Sequence, residues 1–286
     1  MPAINCIWLS VTTDRSSGSR FLKTPRNSDD PSPLGWLLYR FLHYPRGQLR
    51  KRNSDFWLYL LLRRVRNGPF TGLRYVGESP SPQIGPFLLG LNEMEIWPFI
   101  NRLLAGEFDA FINVGAAEGY YAVGMARFSR IPRVISYEGD RLGRVLTRFM
   151  ARKNGVAARL DVRGACDPEL LDDTLAPIAR PALLIDVEGY EEELADPTRV
   201  PALRRATMII ELHEHQRPMA DILRPRFTAT HDLEELWTRP RTLEDLPKNL
   251  WPATMFFPRT RLLELGTERR GMPMRWWLLT PKKTAA

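Results

Sequence analysis

From residue 108 onward, short runs of apolar and β-branched residues alternate with stretches whose apolar positions recur at helical spacing. This is the pattern of a parallel sheet covered by helices. Five strands are expected at residues 110–114, 133–137, 159–162, 182–187 and 207–212, with helices near 119–128, 142–154, 168–175, 191–195 and 219–223. Two later runs, 227–232 and 275–280, are expected to complete the sheet as an antiparallel pair. The fold class is therefore α/β, a Rossmann-like, mostly parallel seven-stranded sheet with helices on both faces. The Pro- and Arg-rich stretch 238–273 separates the last two strands. A structureless loop of that length is uncommon in a compact domain, so it is expected to form a lid or a substrate-facing excursion. Trp276 and Trp277, paired in the terminal strand, read as core.

Upstream the pattern is weaker. Residues 12–32 are rich in Ser, Asp, Arg and Pro, as in a flexible arm. Residues 35–42 and 55–65 are apolar enough for two short helices, Ser79-Pro80-Ser81-Pro82 marks a break, and residues 93–104 predict a helix carrying Met94, Ile96, Trp97, Ile100, Leu103 and Leu104 on one face. The expected organisation is a basic, partly disordered arm with short helices over 1–68 and a main domain over 69–286, with its insertion at about 238–273.

Charge sharpens that division. Residues 1–68 hold 12 Lys/Arg against 4 Asp/Glu, so the whole net charge of +8 resides there, and residues 69–286 balance at 29 of each sign. Arg50-Lys51-Arg52 and Arg63-Arg64-Val65-Arg66 lie beside apolar stretches. A peripheral membrane surface or a nucleic-acid backbone would attract them, while the plainer reading is a solvated leader. No apolar run approaches the roughly 20 residues of a spanning helix, and the start lacks a basic region ahead of its apolar part. Cys6 and Cys166 form neither a disulfide framework nor a zinc cluster. A cytoplasmic location, with membrane association through the arm, is the expectation.

The most informative segment is Phe111-Ile112-Asn113-Val114-Gly115-Ala116-Ala117-Glu118-Gly119, an apolar strand that turns through small residues into a helix. Such a turn lets a nucleotide approach the backbone, and the helix N-terminus favours negative groups. The next strand ends in Glu138, where an acid can accept both ribose hydroxyls. A nicotinamide fingerprint would need glycine at Ala117 and a small residue at Tyr120, and it fits poorly. A ligand-free turn is the remaining alternative. Asp167, after the third strand, falls where an adenine would pack and equally reads as the helix cap before Pro168.

The segments INVGAAEGYYAVGMA, VISYEGD, LLIDVEGYEEEL and MIIELHEH, in that order and spacing, resemble class I S-adenosylmethionine-dependent methyltransferases, and among them the FkbM-like group. The resemblance covers about residues 108–215, with a fainter echo in LLGLNEMEIWPFI. It implies a methyltransferase fold with S-adenosylmethionine held by Asn113, Gly115, Ala117, Glu118, Gly119, Glu138, Asp167 and Asp186. Asn113 stands where the family usually has Asp, and Ala117 where many class I enzymes have Gly.

Ligands of open parallel sheets bind beyond the carboxyl ends of the strands. Asp186, Glu188 and Gly189 close the fourth strand; Glu211, His213 and Glu214 close the fifth. Methyl transfer to a hydroxyl needs an in-line acceptor and a base for its proton. His213 is the first choice for that base, with Asp186 the runner-up and Glu188 beside them. Two alternatives stand: a divalent cation on Asp186, Glu188, Glu211 and His213, or carboxylates that only favour the next helix start while His213 and His215 lie on the surface.

Asp186-Val187-Glu188-Gly189 stands where base amino-methyltransferases place Asp/Asn-Pro-Pro-aromatic, and no Pro-Cys pair is present there, which disfavours nucleic-acid bases as acceptors. The resemblance implies O-methylation of a small molecule, glycan or lipid-linked sugar. Trp237, Trp251, Phe256, Phe257, Trp276 and Trp277 offer stacking surfaces for such an acceptor, the last two reading rather as core. The contrasting expectation is a non-catalytic module that keeps the cofactor fold and docks through its basic arm. A nucleic-acid-directed protein, resting on the arm alone, is the third.

Overall fold

The computed structural model describes residues 53–77, 83–214, 217–268 and 272–283. The expected helix at 35–42, the flexible arm at 12–32 and the Ser79–Pro82 break lie outside them. In chain order the elements are α1 (Asn53–Leu62), α2 (Gly85–Leu89), α3 (Trp97–Ala105), β1 (Ala110–Val114), α4 (Tyr120–Phe128), β2 (Val134–Tyr137), α5 (Arg141–Lys153), β3 (Leu160–Arg163), α6 (Pro168–Leu175), β4 (Pro181–Ile185), α7 (Glu191–Leu194), β5 (Thr207–Leu212), α8 (Met219–Phe227), β6 (His231–Trp237), α9 (Arg259–Gly266) and β7 (Arg275–Pro281).

The strands form one seven-stranded sheet in the order β3-β2-β1-β4-β5-β7-β6. β1 pairs in parallel with β2 and β4, β2 with β3, and β4 with β5, whereas β7 runs antiparallel to both β5 and β6. This is the Rossmann-like, mostly parallel seven-stranded sheet expected from the sequence pattern. Every residue of β1, β2 and β4 is buried, because helices on both faces leave a central parallel strand no polar side. The edge strand β6 is instead mostly exposed, at Asp232, Glu234, Glu235 and Trp237, with only His231 buried.

The two faces carry separate cores. One joins Phe111, Leu184, Ile209 and Trp276 to α3 and α4 and to Leu58, Leu62, Val65, Phe70 and Tyr75 from the N-terminal side. The other joins Ile112, Ile185, Ile210 and Trp277 to α6 and α8. Both tryptophans are fully buried, as expected. Asn53–Leu62 and the residues after it therefore belong to the body of the protein, although they fall within the stretch expected to form the arm.

Three local departures have physical causes. The helix expected at 93–104 is divided into a 3-10 turn, Met94–Ile96, and α3, with Pro98 in the first turn, where its missing N–H costs nothing. The sixth strand lies at 231–237, because α8 continues to the buried Phe227. The stretch after β6 is no open excursion: Leu246, Leu250, Ala253, Leu262 and Leu265 enter the first core. Arg241 fastens it by pairing with Glu95 and Glu268 and donating to the Leu91 carbonyl at 2.9 Å. No helix among the described residues is long and apolar enough to cross a membrane.

Candidate active site

The turn after β1 is shaped by contact with β4. Asp186 donates its backbone N–H to the Val114 carbonyl at 3.0 Å. A Cβ on Gly115 would lie 1.6 Å from the Asp186 carbonyl oxygen, and Gly115 has φ of +81°. Glycine is thus required there twice, by space and by backbone conformation. Gly119, with φ of +88°, begins α4 against Thr147.

Ala117 lies between these glycines with φ of +47°, a left-handed conformation that costs an alanine roughly 1 kcal/mol. Its N–H donates to Glu138 Oε2 at 2.6 Å, and the Asp140 N–H donates to Oε1 at 2.7 Å. Glu138 therefore ties the β1 turn to the end of β2, and its remaining lone pairs stay available to a hydroxylated ligand. Burial raises its pKa above the usual carboxylate value against the opposing pull of the two backbone donors. The space above the end of β3 is open, since a Cβ on Gly164 would meet nothing within 4 Å.

Beneath the turn, Asn113 and Ser136 are register partners on adjacent strands. Both are buried, and neither the Asn113 amide nor the Ser136 hydroxyl has a hydrogen-bond partner. An orphaned buried polar group costs about 1–3 kcal/mol, so this position fits a ligand or ordered water that supplies the missing bonds.

Two expected cofactor contacts are otherwise engaged. The buried Glu118 accepts a hydrogen bond from the Tyr75 hydroxyl. Asp167 caps α6 by accepting the Leu170 N–H at 2.8 Å, which is the helix-cap alternative seen in the sequence.

The ends of β4 and β5 bring the second group together around His213. Its Nδ1 lies 2.7 Å from Glu191 Oε1, while Nε2 faces Glu188 at 3.3 Å, Glu211 at 3.8 Å and Asp186 at 3.9 Å. The His213, Glu191 and Glu211 side chains are 5%, 0% and 3% exposed, Asp186 is 27% exposed and Glu188 62% exposed, so the cluster opens to solvent along the Asp186 and Glu188 side. His213 is not a surface residue. Burial alone would lower its pKa, but the Glu191 hydrogen bond and the charges of Glu211, Glu191 and Glu188 outweigh it and raise the imidazole above its ordinary range.

Glu188 holds φ of +53° and is followed by Gly189 at +106°. Non-glycine left-handed residues thus occur on both turns, after β1 and after β4, a form of strain that concentrates at functional sites. The sequence reading missed Glu191 as the partner of His213. It is one of three successive glutamates, and only its complete burial distinguishes it. Tyr75 and Ser136 were missed because neither belongs to a recognisable spacing.

The ligand atoms of Asp186, Glu211 and His213 lie within 4.8 Å of one another, close enough to share a metal ion.

No family model matches the sequence, and no curated protein matches it. Among solved structures, a precorrin-6y C5,15-methyltransferase from Geobacter metallireducens is 15% identical, with 66% of this chain and 89% of that chain covered and a TM-score of 0.44. A precorrin-8w decarboxylase from Methanobacterium thermoautotrophicum is 16% identical over 65% and 89%, with a TM-score of 0.42. An O-methyltransferase from Bacillus cereus in complex with SAH is 13% identical over 87% and 98%, with a TM-score of 0.37. Likeness at this distance carries no argument about function, so the chemistry must come from the site's own geometry.

Proposed function

We propose that this chain is an S-adenosylmethionine-dependent methyltransferase that acts on a hydroxyl of a small molecule, glycan or lipid-linked sugar. The observation that carries the reading is the adjacency of two unlike groups at the carboxyl ends of the strands. A backbone turn closed by Glu138 abuts the end of β4 at Gly115, and the buried His213 cluster occupies the ends of β4 and β5.

The cofactor, when bound, supplies an electrophilic methyl group on a sulfonium. Gly115 and the strained Ala117 let a ligand approach the turn, Glu138 offers acceptors to ribose hydroxyls, and Asn113 and Ser136 supply unused polar groups. Glu191 can hold the proton on His213 Nδ1, leaving the Nε2 lone pair to take the acceptor proton. Asp186 and Glu188 can orient the acceptor and stabilise the imidazolium once it forms.

The test is calorimetric titration of S-adenosylmethionine and S-adenosylhomocysteine into wild type and Glu138→Ala. Micromolar binding that weakens at least tenfold in the variant is the expected result and justifies a screen of hydroxylated acceptors. Absence of binding to wild type would replace this reading with the non-catalytic module.

A second reading rests on the 4.8 Å grouping of Asp186, Glu211 and His213 ligand atoms. A divalent cation there would polarise the acceptor hydroxyl and lower its pKa, so that its proton would pass to Glu188 or to solvent rather than to His213. Turnover abolished by EDTA and restored by Mg²⁺ or Mn²⁺ selects this reading; turnover indifferent to chelation leaves His213 as the base.

A further inference from the structure

A group of exposed apolar side chains lies outside the proposed site. Phe56 and Trp57 on α1 are 46% and 56% exposed, and Trp251, Met255 and Phe256 are 66%, 68% and 66% exposed. α1 packs against the Ala253–Met255 turn. Leu58 and Leu62 share the first core with Leu246, Leu250 and Ala253. The five exposed residues therefore occupy neighbouring elements. Between Asp55 and Arg63, α1 carries no charged residue, whereas a helix with one buried face normally turns polar residues outward. Apolar groups concentrated on a surface mark a place of interaction.

The charges around these residues are predominantly of one sign. Arg50-Lys51-Arg52 precede α1 in the sequence, and Arg63, Arg64 and Arg66 follow it. The last three donate to the carbonyls of Leu60, Gly72 and Leu62, which fixes their guanidinium groups without neutralising them. Lys248 and Arg259 are exposed in the insertion. Of the described acids on these elements, Asp245 is paired with Arg239 at 2.6 Å and Glu264 with Arg261 at 2.7 Å, and the exposed Glu244 opposes the basic residues.

We propose that α1 and the 251–256 segment form one docking face for an anionic membrane surface. The aromatic and methionine side chains enter the interfacial layer, and the flanking arginines and lysines meet headgroup phosphates. Charge complementarity selects this occupant. Peripheral anchoring needs two cooperating signals, an apolar one and a basic one, and both occur here on adjoining elements. A nucleic acid would use the basic residues but leave Met255 and the apolar side of α1 in water. Binding at this face is independent of the proposed catalytic chemistry.

The experiment is co-sedimentation of the full chain with mixed phosphatidylcholine–phosphatidylglycerol vesicles and with phosphatidylcholine vesicles alone. Binding to the mixed vesicles, weakened by salt and accompanied by a blue shift of tryptophan emission, is expected. The double substitutions Trp251→Ser with Phe256→Ser and Phe56→Ser with Trp57→Ser should each weaken it on the order of tenfold or more. Arg63→Glu with Arg64→Glu should weaken it similarly and flatten its salt dependence, which keeps the test decisive if one aromatic variant fails to fold. Failure of wild type to bind mixed vesicles overturns the proposal. So does unchanged vesicle binding by the folded double variants, preferential capture of an oligonucleotide, or self-association through this face that excludes vesicles.

Discussion

The two halves of the proposed site are built from different materials. At the ends of β1 and β2 the backbone does most of the work: Gly115 fits because it has no Cβ, Ala117 sits in a left-handed conformation, and Glu138 holds two backbone N–H groups. At the ends of β4 and β5 the side chains do it, with four carboxylates around one imidazole. A backbone site tolerates little change in shape, whereas a side-chain site can lose a functional group and keep its frame. Perturbing each half should therefore produce different failures.

The largest expected effect belongs to the side-chain half. His213→Ala should lower turnover by about 10²- to 10⁴-fold, the usual range for losing a general base, while the cofactor Kd stays close to wild type. Single-turnover kinetics beside calorimetry checks this, and a parallel collapse of cofactor binding would erase the distinction between the halves. On the backbone side, Gly115→Ala should destabilise the fold by about 3 kcal/mol, combining an imposed clash with the cost of a left-handed alanine. Thermal unfolding reads that change, and an unaltered unfolding temperature would show that the contact with Asp186 relaxes easily.

Ala117→Gly is a smaller effect of opposite sign. Removing the strained Cβ should gain up to about 1 kcal/mol, seen as a higher unfolding temperature or tighter cofactor binding. Loss of both would mean that the Ala117 methyl makes a needed contact.

The smallest expected effect is on pH dependence. Burial raises the Glu138 pKa above its ordinary value of 4.5. Ribose recognition needs the ionised form, so cofactor affinity should fall as pH drops through that raised pKa, starting above the range of an exposed glutamate. For folding the sign is opposite: the raised pKa disfavours the ionised native state, so this group's contribution to stability diminishes as pH rises through 4.5 toward the native pKa. Calorimetry across mildly acidic pH, repeated with Glu138→Gln, separates this group from others. An identical acid dependence in the variant would assign it elsewhere.

Much of the backbone half was legible in the sequence because its determinants are local. An apolar run followed by small residues at 115–119, and an acid at the end of the next strand, specify a turn and its anchor within 25 or so residues. The positions of the first five strands and of the last were legible for the same reason, since apolar periodicity reports burial directly. The sixth strand was misplaced because its exposed acids, Asp232, Glu234 and Glu235, diluted the apolar signal that the covered strands display.

The His213 cluster was only partly legible. Strand order made His213 and Asp186 neighbours, but the sequence could not say which of Glu191, Glu192 and Glu193 points inward, nor that the Tyr75 hydroxyl engages Glu118 from 43 positions away. It also read the stretch after β6 as an excursion, although that stretch places five apolar side chains in the first core. The sequence by itself determined the sheet, the glycine turn and the acid that closes it, because conformational preference and periodic burial act over a few residues. The environment of His213 and the covering of the first face were decided by tertiary structure, because those contacts depend on which distant elements pack together and which polar groups they bury.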